Sequence, residues 1–118
     1  MAQLVGRVSA VNGSTTDIHL LTAQNTVGTR AFDAAGNEYI YMQGVASVVL
    51  GDWCSFDELF VTTRQLGATL GPVAIAMAAI NLTTSYGWFG IYGLFSGGVV
   101  TGADNAKVWT TATAGRVD

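Results

Sequence analysis

The sequence predicts an all-β fold, a small β-barrel or sandwich with an extended N-terminal β arm. Three observations predict it. Apolar residues alternate at period two over short stretches, and glycine or polar turns separate those stretches at short spacing. No segment carries the apolar spacing of a long amphipathic helix. A chain of 118 residues is one domain, enough for a single core but not for two.

Leu4 to Val11 alternates, with Leu4, Val8 and Ala10 opposite Val5, Arg7 and Ser9. Asn12-Gly13-Ser14 supplies turn chemistry, and Asp17 to Thr22 reads as a short return strand. Ala23 to Arg30 has little hydrophobic pattern and reads as a connector. Residues 1–30 therefore form the predicted arm, with Leu4, Val5, Arg7, Val8, Ile18 and Leu20 as its contact residues. Residues 31–118 form the predicted barrel.

Within the barrel, Thr29 to Phe32 and Glu38 to Gln43 flank Asp33-Ala-Ala-Gly-Asn37, a hairpin loop. Val45 to Val49 is a β-branched run ended by Leu50-Gly51-Asp52, and Trp53 to Phe56 and Leu59 to Thr63 follow as short strands. Val73 to Ile80 alternates large and small residues, which favours a strand against a crowded interior over a helix. Gly87 to Val100 packs four aromatics among five glycines with no charge. At period two, one face of this strand carries Phe89, Ile91 and Phe95, the other Trp88, Tyr92 and Leu94. Both faces are apolar, so both require cover, by a core on one side and by another chain on the other. Trp88, Tyr92, Leu94 and Phe95 are therefore the expected self-association residues, most simply in a trimer, with a dimer as the alternative. Lys107 to Thr113 reads as the last strand, and the core is expected to include Ile40, Met42, Phe56, Val73, Ile75, Phe89 and Ile91.

Composition narrows function. Asp, Glu, Lys and Arg make up 11% of the residues, against about 25% in an average domain. The net charge is −3, and Arg7, Arg30, Arg64, Lys107 and Arg116 are scattered singly, so no nucleic-acid footprint exists. The start lacks the features of a signal peptide, and Val73 to Ile80 is far short of the roughly 20 residues that span a bilayer. Synthesis in the cytoplasm without a membrane partner is the expectation.

No catalytic residue, metal site or cofactor is assigned. His19 has Ser14 and Asp17 nearby, but no strained nucleophile turn accompanies them. Cys54 stands alone, which excludes an internal disulfide, and no basic neighbour lowers its pKa. Asp52, Asp57 and Glu58 could approach one another as paired carboxylates, yet read more simply as solvated surface. Asp33 to Glu38 offers oxygen ligands without calcium-loop spacing. Gly87, Gly90 and Gly93 are not a dinucleotide motif and read as points of close approach. Trp53, Trp88 and Trp109 read as core or interface anchors.

The order of several motifs carries a resemblance. Ala35-Gly-Asn-Glu-Tyr-Ile-Tyr-Met-Gln-Gly-Val-Ala46 is followed by Gly51-Asp-Trp-Cys-Ser-Phe-Asp57 and Thr62-Thr-Arg64. Gly71-Pro-Val-Ala-Ile-Ala-Met-Ala78, Tyr86-Gly-Trp-Phe-Gly-Ile-Tyr-Gly93 and Thr111-Ala-Thr-Ala-Gly-Arg-Val-Asp118 complete the series. It resembles small virion proteins from the head-gene clusters of tailed bacteriophages, and in particular head decoration (cement) proteins. The resemblance implies a protein on the capsid outer surface that clamps neighbouring major capsid protein subunits against the pressure of packaged DNA, with no active site. A head fibre or a receptor- or carbohydrate-binding surface protein is the alternative, and would place Trp53 or Trp88 in an open cleft.

Overall fold

A computed structural model describes residues 5–6, 14–66, 71–98 and 111–117. These residues are all-β, without a helix among them. The strands are β1 (Val5–Gly6), β2 (Ile18–Leu20), β3 (Arg30–Phe32), β4 (Glu38–Gln43), β5 (Trp53–Phe56), β6 (Thr62–Arg64), β7 (Val73–Ala76) and β8 (Ser85–Tyr92). One antiparallel sheet runs in the order β1-β3-β4-β8-β7-β5-β6, and β2 also pairs with β8.

β8 is the centre of this sheet. Along one edge it pairs with β4 from Gln43↔Tyr86 to Glu38↔Tyr92, with a bulge between Glu38 and Tyr39. Its other edge is shared: β2 takes Ser85 to Gly87, and β7 takes Phe89 and Gly90. Among the described residues the sheet does not close into a continuous barrel. Between β6 and β4 there is an isolated parallel bridge, Gln43↔Val61, beside a bond from Thr62 Oγ1 to the Gln43 carbonyl at 2.7 Å.

The period-two pattern of β4 and β8 divides the sheet into two apolar faces. Ile40, Met42 and Phe89 join Val48, Cys54, Ala74, Ala76, Ala78 and Ile80 in the larger cluster. Tyr39, Tyr41 and Trp88 join Ala31 in the smaller one, packed by Ala23, Val27, Met77, Tyr86 and Phe95. Both faces of β8 are thus covered from within the chain over Ser85–Phe89, whereas its end at Tyr92 is exposed. The connector after β2, poor in hydrophobic pattern, contributes Ala23 and Val27 and is pinned by its backbone. Gly28 N donates to Tyr41 O at 2.7 Å, Tyr41 N to Thr29 O at 2.9 Å, and Leu21 N to Thr84 O at 2.7 Å.

The hairpin Arg30–Phe32 to Glu38–Gln43 forms as expected, and Asp33 organises its loop. The Asp33 carboxylate accepts from the Ala35 and Asn37 amides, the Asn37 side chain and the Tyr39 hydroxyl. Several sequence-based bounds change. The strand expected over Val73–Ile80 stops at Ala76, and its alanines, not Val73, face the crowded main core. Val73 is 40% exposed, and Ile75 is buried outside that cluster, because only a methyl fits against Met42, Ile80 and Phe89. Leu59 and Phe60 turn instead of extending, because the Asp57 carboxylate collects the Leu59 and Val61 amides and Phe60 takes φ +59°. Val45–Val49 is a loop with Ser47 at φ +70°, and residues 93–98 leave the ladder after Tyr92. Of the expected final strand, residues 107–110 lie outside the described residues and Thr111–Thr113 are not extended into a ladder.

Candidate functional site: an apolar cleft above a buried carboxylate clasp

β7 and β8 pair only at Ile75↔Gly90 and Ala76↔Phe89, although both strands run on to Val73 and Tyr92. Where the pairing stops, an open cleft of about 580 Å³ forms, lined by Trp53, Val73–Ile75, Gly90–Gly93 and Phe95. Among the described residues no charged side chain lines it. Gly90 makes the floor, since a Cβ there would lie 2.6 Å from the Phe95 ring. Phe95 in turn packs edge-on against Tyr39, ring centroids 5.6 Å apart. At the rim Tyr92 is 73% and Leu94 91% exposed. The Leu94 amide donates to Asn37 Oδ1 at 3.1 Å, so the hairpin loop holds the rim in place.

Asp52, the residue before Trp53, is fully buried. Oδ2 accepts from Arg64 Nε at 2.8 Å and from the Val49 amide at 3.1 Å. Oδ1 makes no hydrogen bond among the described residues and faces Arg116 Nη2 at 3.7 Å. Residues 111–117 are tied to the same place: Trp53 N donates to Gly115 O at 2.9 Å, Gly115 N to Gln65 O at 2.9 Å, and Val117 N to Gly98 O at 3.3 Å. Trp53 Nε1 also donates to Gly98 O at 3.0 Å. Gly115 sits at φ +76°, and a Cβ on it would come within 2.5 Å of the Asp52 carboxyl carbon. A side chain at 115 would collide with the carboxylate and strain the backbone together. This clasp escapes sequence reasoning that treats lone acids as solvated. The signal lay in Asp52 at the junction of a glycine turn and an apolar strand, with Arg64 ending one polar motif and Arg116 following Gly115 in another.

The expected contact residues are dispersed. Leu4, Arg7 and Val8 lie outside the described residues, and Val5 is in β1 beside β3. Ile18 and Leu20 share the outward face of β2, with Leu20 60% exposed. Trp88 is fully buried against Tyr41, centroids 5.1 Å apart, so it is a core residue and not a surface anchor. Tyr92 and Leu94 stand at the surface and Phe95 lies half-buried beneath them.

The candidate chemical groups are held structurally. Asp17 is occupied by Ser14, accepting its amide at 3.0 Å, while His19 Nδ1 meets the Tyr41 hydroxyl at 2.7 Å. The Tyr41 hydroxyl also accepts the Gln24 amide at 3.1 Å, and burial pushes its pKa up. Burial, reinforced by the Asp52 charge and opposed by Arg64, raises the Cys54 thiol to about 12. Asp57 and Glu58 line a second groove of about 550 Å³ with Phe56, Phe60, Gly71 and Pro72, whereas Asp52 is in the core. Burial raises the Asp33 carboxyl, but bonds from Tyr39, Asn37 and Ala35 outweigh it and bring it below its ordinary value. Among the described residues no group of three His, Cys, Asp or Glu could hold a metal ion.

The described surface thus carries an apolar, aromatic-lined cleft with an exposed Tyr92–Leu94 rim. The chain matches no protein-family model, no curated protein and no solved structure.

Proposed function

We propose that the chain is a structural virion protein that decorates and cements the capsid of a tailed bacteriophage by bridging neighbouring major capsid protein subunits. The observation that carries this reading is the exposed Tyr92–Leu94 rim beside an uncharged aromatic cleft. Large apolar side chains grouped at a surface mark contact sites. The order of motifs that resembles head decoration proteins supplies the identity of the partner. Three of those motifs, around Gly51-Asp-Trp53, Arg64 and Gly115-Arg-Val117, meet at the Asp52 clasp. In this reading they maintain a stiff scaffold, a small barrel built on β4 to β8, and they are not a reaction centre. The protein is made in the host cytoplasm and acts on the outer face of the head, without enzymatic activity, cofactor, membrane or nucleic acid. In this reading the outward face of β2, through Ile18 and Leu20, meets the capsid, although β2 itself is paired to β8 and the connector after it packs on the chain's own core. Copies associate around the capsid symmetry axes, most simply as trimers. Modest contacts repeated over a shell add through multivalency.

The alternative, a head fibre or glycan-binding surface protein, has one observation in its favour: Trp53 does line an open cleft. The cleft argues against a sugar, however. Its Trp53 Nε1 is already bonded to Gly98, which leaves the Tyr92 hydroxyl as the polar side-chain group in its lining. Sugars require several placed polar partners. The deciding experiment mixes purified protein with expanded heads lacking it and measures occupancy by sedimentation and electron microscopy. Saturable binding in symmetric copy number, with heads then retaining DNA on heating, is expected. Binding to glycans but not to heads would overturn the proposal.

A further inference from the structure

The register of β7 leaves one backbone donor and one backbone acceptor aimed into the cleft. Toward β5 the bonds fall on alternate residues: Phe56 N donates to Pro72 O at 3.1 Å and Ala76 N to Asp52 O at 2.9 Å, with Cys54 opposite Ala74 between them. In an antiparallel ladder the intervening residues direct their N–H and C=O to the other edge. Val73 and Ile75 therefore present theirs to β8. The bond from Met77 N to Trp88 O at 3.2 Å has the same phase, and Ile75 is met by Gly90. The ladder ends before Val73. Its N–H and C=O thus point across the opening between β7 and β8, and among the described residues nothing pairs with them. Val73 itself is exposed, so this edge is reachable from solvent.

We propose that this edge takes an extended, uncharged strand of the protein partner, which adds beside Val73 and lays an apolar side chain into the cleft. An unpaired strand edge is a template for another extended chain. The added main chain supplies affinity, and the neighbouring pocket selects its side chains. Charge complementarity selects an uncharged strand, because the described lining carries no charged side chain. Two other occupants fit less well. A small apolar molecule would leave the Val73 N–H and C=O unanswered, and it needs a site that encloses most of its surface. Here the rim residues Tyr92 and Leu94 stand open to solvent. A second copy fits less well because the opening lies between two strands and admits a lone extended segment more readily than the edge of another sheet. Each described strand of this chain already belongs to a sheet. The inference rests on the capsid-binding reading and deepens it: the capsid subunit offers an extended segment without charge.

The test uses the full chain. Val73→Pro removes the N–H presented to the cleft and touches no bond to β5, and proline is tolerated at the first residue of a strand. Val73→Thr keeps the N–H and nearly the same shape. Both variants and the wild type are titrated onto expanded heads lacking the protein, with occupancy read by sedimentation. Val73→Pro is expected to bind about tenfold more weakly than wild type, and Val73→Thr within about twofold. Amide exchange of the wild type, free and head-bound, is expected to slow at Val73 on binding. That measurement needs no variant, so it decides the matter if circular dichroism finds Val73→Pro unfolded. Wild-type binding that Val73→Pro matches, or that leaves exchange at Val73 unchanged, would overturn the strand site and leave the capsid reading standing. Exchange at Val73 that slows with concentration in the free protein makes the occupant a second copy, and overturns the proposal likewise. A wild type that does not bind heads overturns the capsid reading, and the strand site with it.

Discussion

Asp52→Asn is the substitution that should do most damage for least change in shape. The wild-type carboxylate is fully buried and holds Arg64 Nε at 2.8 Å, the Val49 amide at 3.1 Å and Arg116 at 3.7 Å. Removing one member of a buried ion pair costs about 3–5 kcal/mol, most of it from the partner charge left behind. Here the side chains left behind are 24% and 32% exposed, so each arginine keeps part of its hydration. The loss should therefore fall to about 2–3 kcal/mol. For 118 residues the unfolding entropy is roughly 0.25 kcal/mol/K, so the midpoint temperature should drop by about 10 °C. Urea unfolding of wild type, Asp52→Asn, Arg64→Ala and the double variant measures both the loss and the coupling. A coupling of at least about 1 kcal/mol between Asp52 and Arg64 is expected, because they share a direct charge-assisted bond. A loss below about 0.5 kcal/mol, or additive single effects, would refute the clasp as the tie between β5, β6 and residues 111–117.

Trp88→Ala should cost about 3–5 kcal/mol of stability, as expected for a fully buried aromatic. Tyr92→Ser and Leu94→Ser should each change monomer stability by less than about 0.5 kcal/mol yet lower head occupancy, which pairs urea titration with the binding assay. The Cys54 thiol, raised to about 12 by burial, should stay unreactive toward a thiol reagent at pH 8 until the protein is denatured. Tyr39, raised to about 12 by burial and by the Asp33 carboxylate its hydroxyl serves, favours the neutral phenol in the fold. Its contribution should be complete below the unfolded value of about 10 and lost as pH rises from there through about 12. Tyr39→Phe should remove that alkaline decline in a urea-midpoint titration.

The class of fold was legible in the sequence because β structure writes itself at period two. In Glu38–Gln43, Ile40 and Met42 go to one core and Tyr39 and Tyr41 to the other, and Phe89 and Trp88 of the aromatic strand divide between the same two clusters. The source of the cover was not legible. Ala23 and Val27 make too weak a pattern to announce a segment that lies over Tyr41 and Trp88, since backbone bonds such as Gly28 N to Tyr41 O fix it. Strand ends failed for a related reason. Asp57, by taking two amides with its carboxylate, ends a ladder that propensity alone would continue through Leu59 and Phe60. Of the site, the rim residues Tyr92 and Leu94 were found from their strand, but Trp88 on the same nominal face was not separable from them. Only the path of the chain decides which residue of a two-faced strand is buried.

That path also explains why so uncharged a chain retains a buried acid. The residues around that acid belong to four segments far apart in sequence, which it ties together. Asp52 touches or neighbours all of them: Val49 before β5, Arg64 on β6, Arg116 near Gly98, and Ala76 on β7, whose amide donates to the Asp52 carbonyl at 2.9 Å. A hydrophobic residue there could fill the space but would leave the Val49 amide and two arginines without their acceptor. The cost of such buried unmet groups makes the arrangement selective for one geometry. The same carboxylate also fixes the seat of residues 111–117, because Gly115 packs against it and Arg116 faces it.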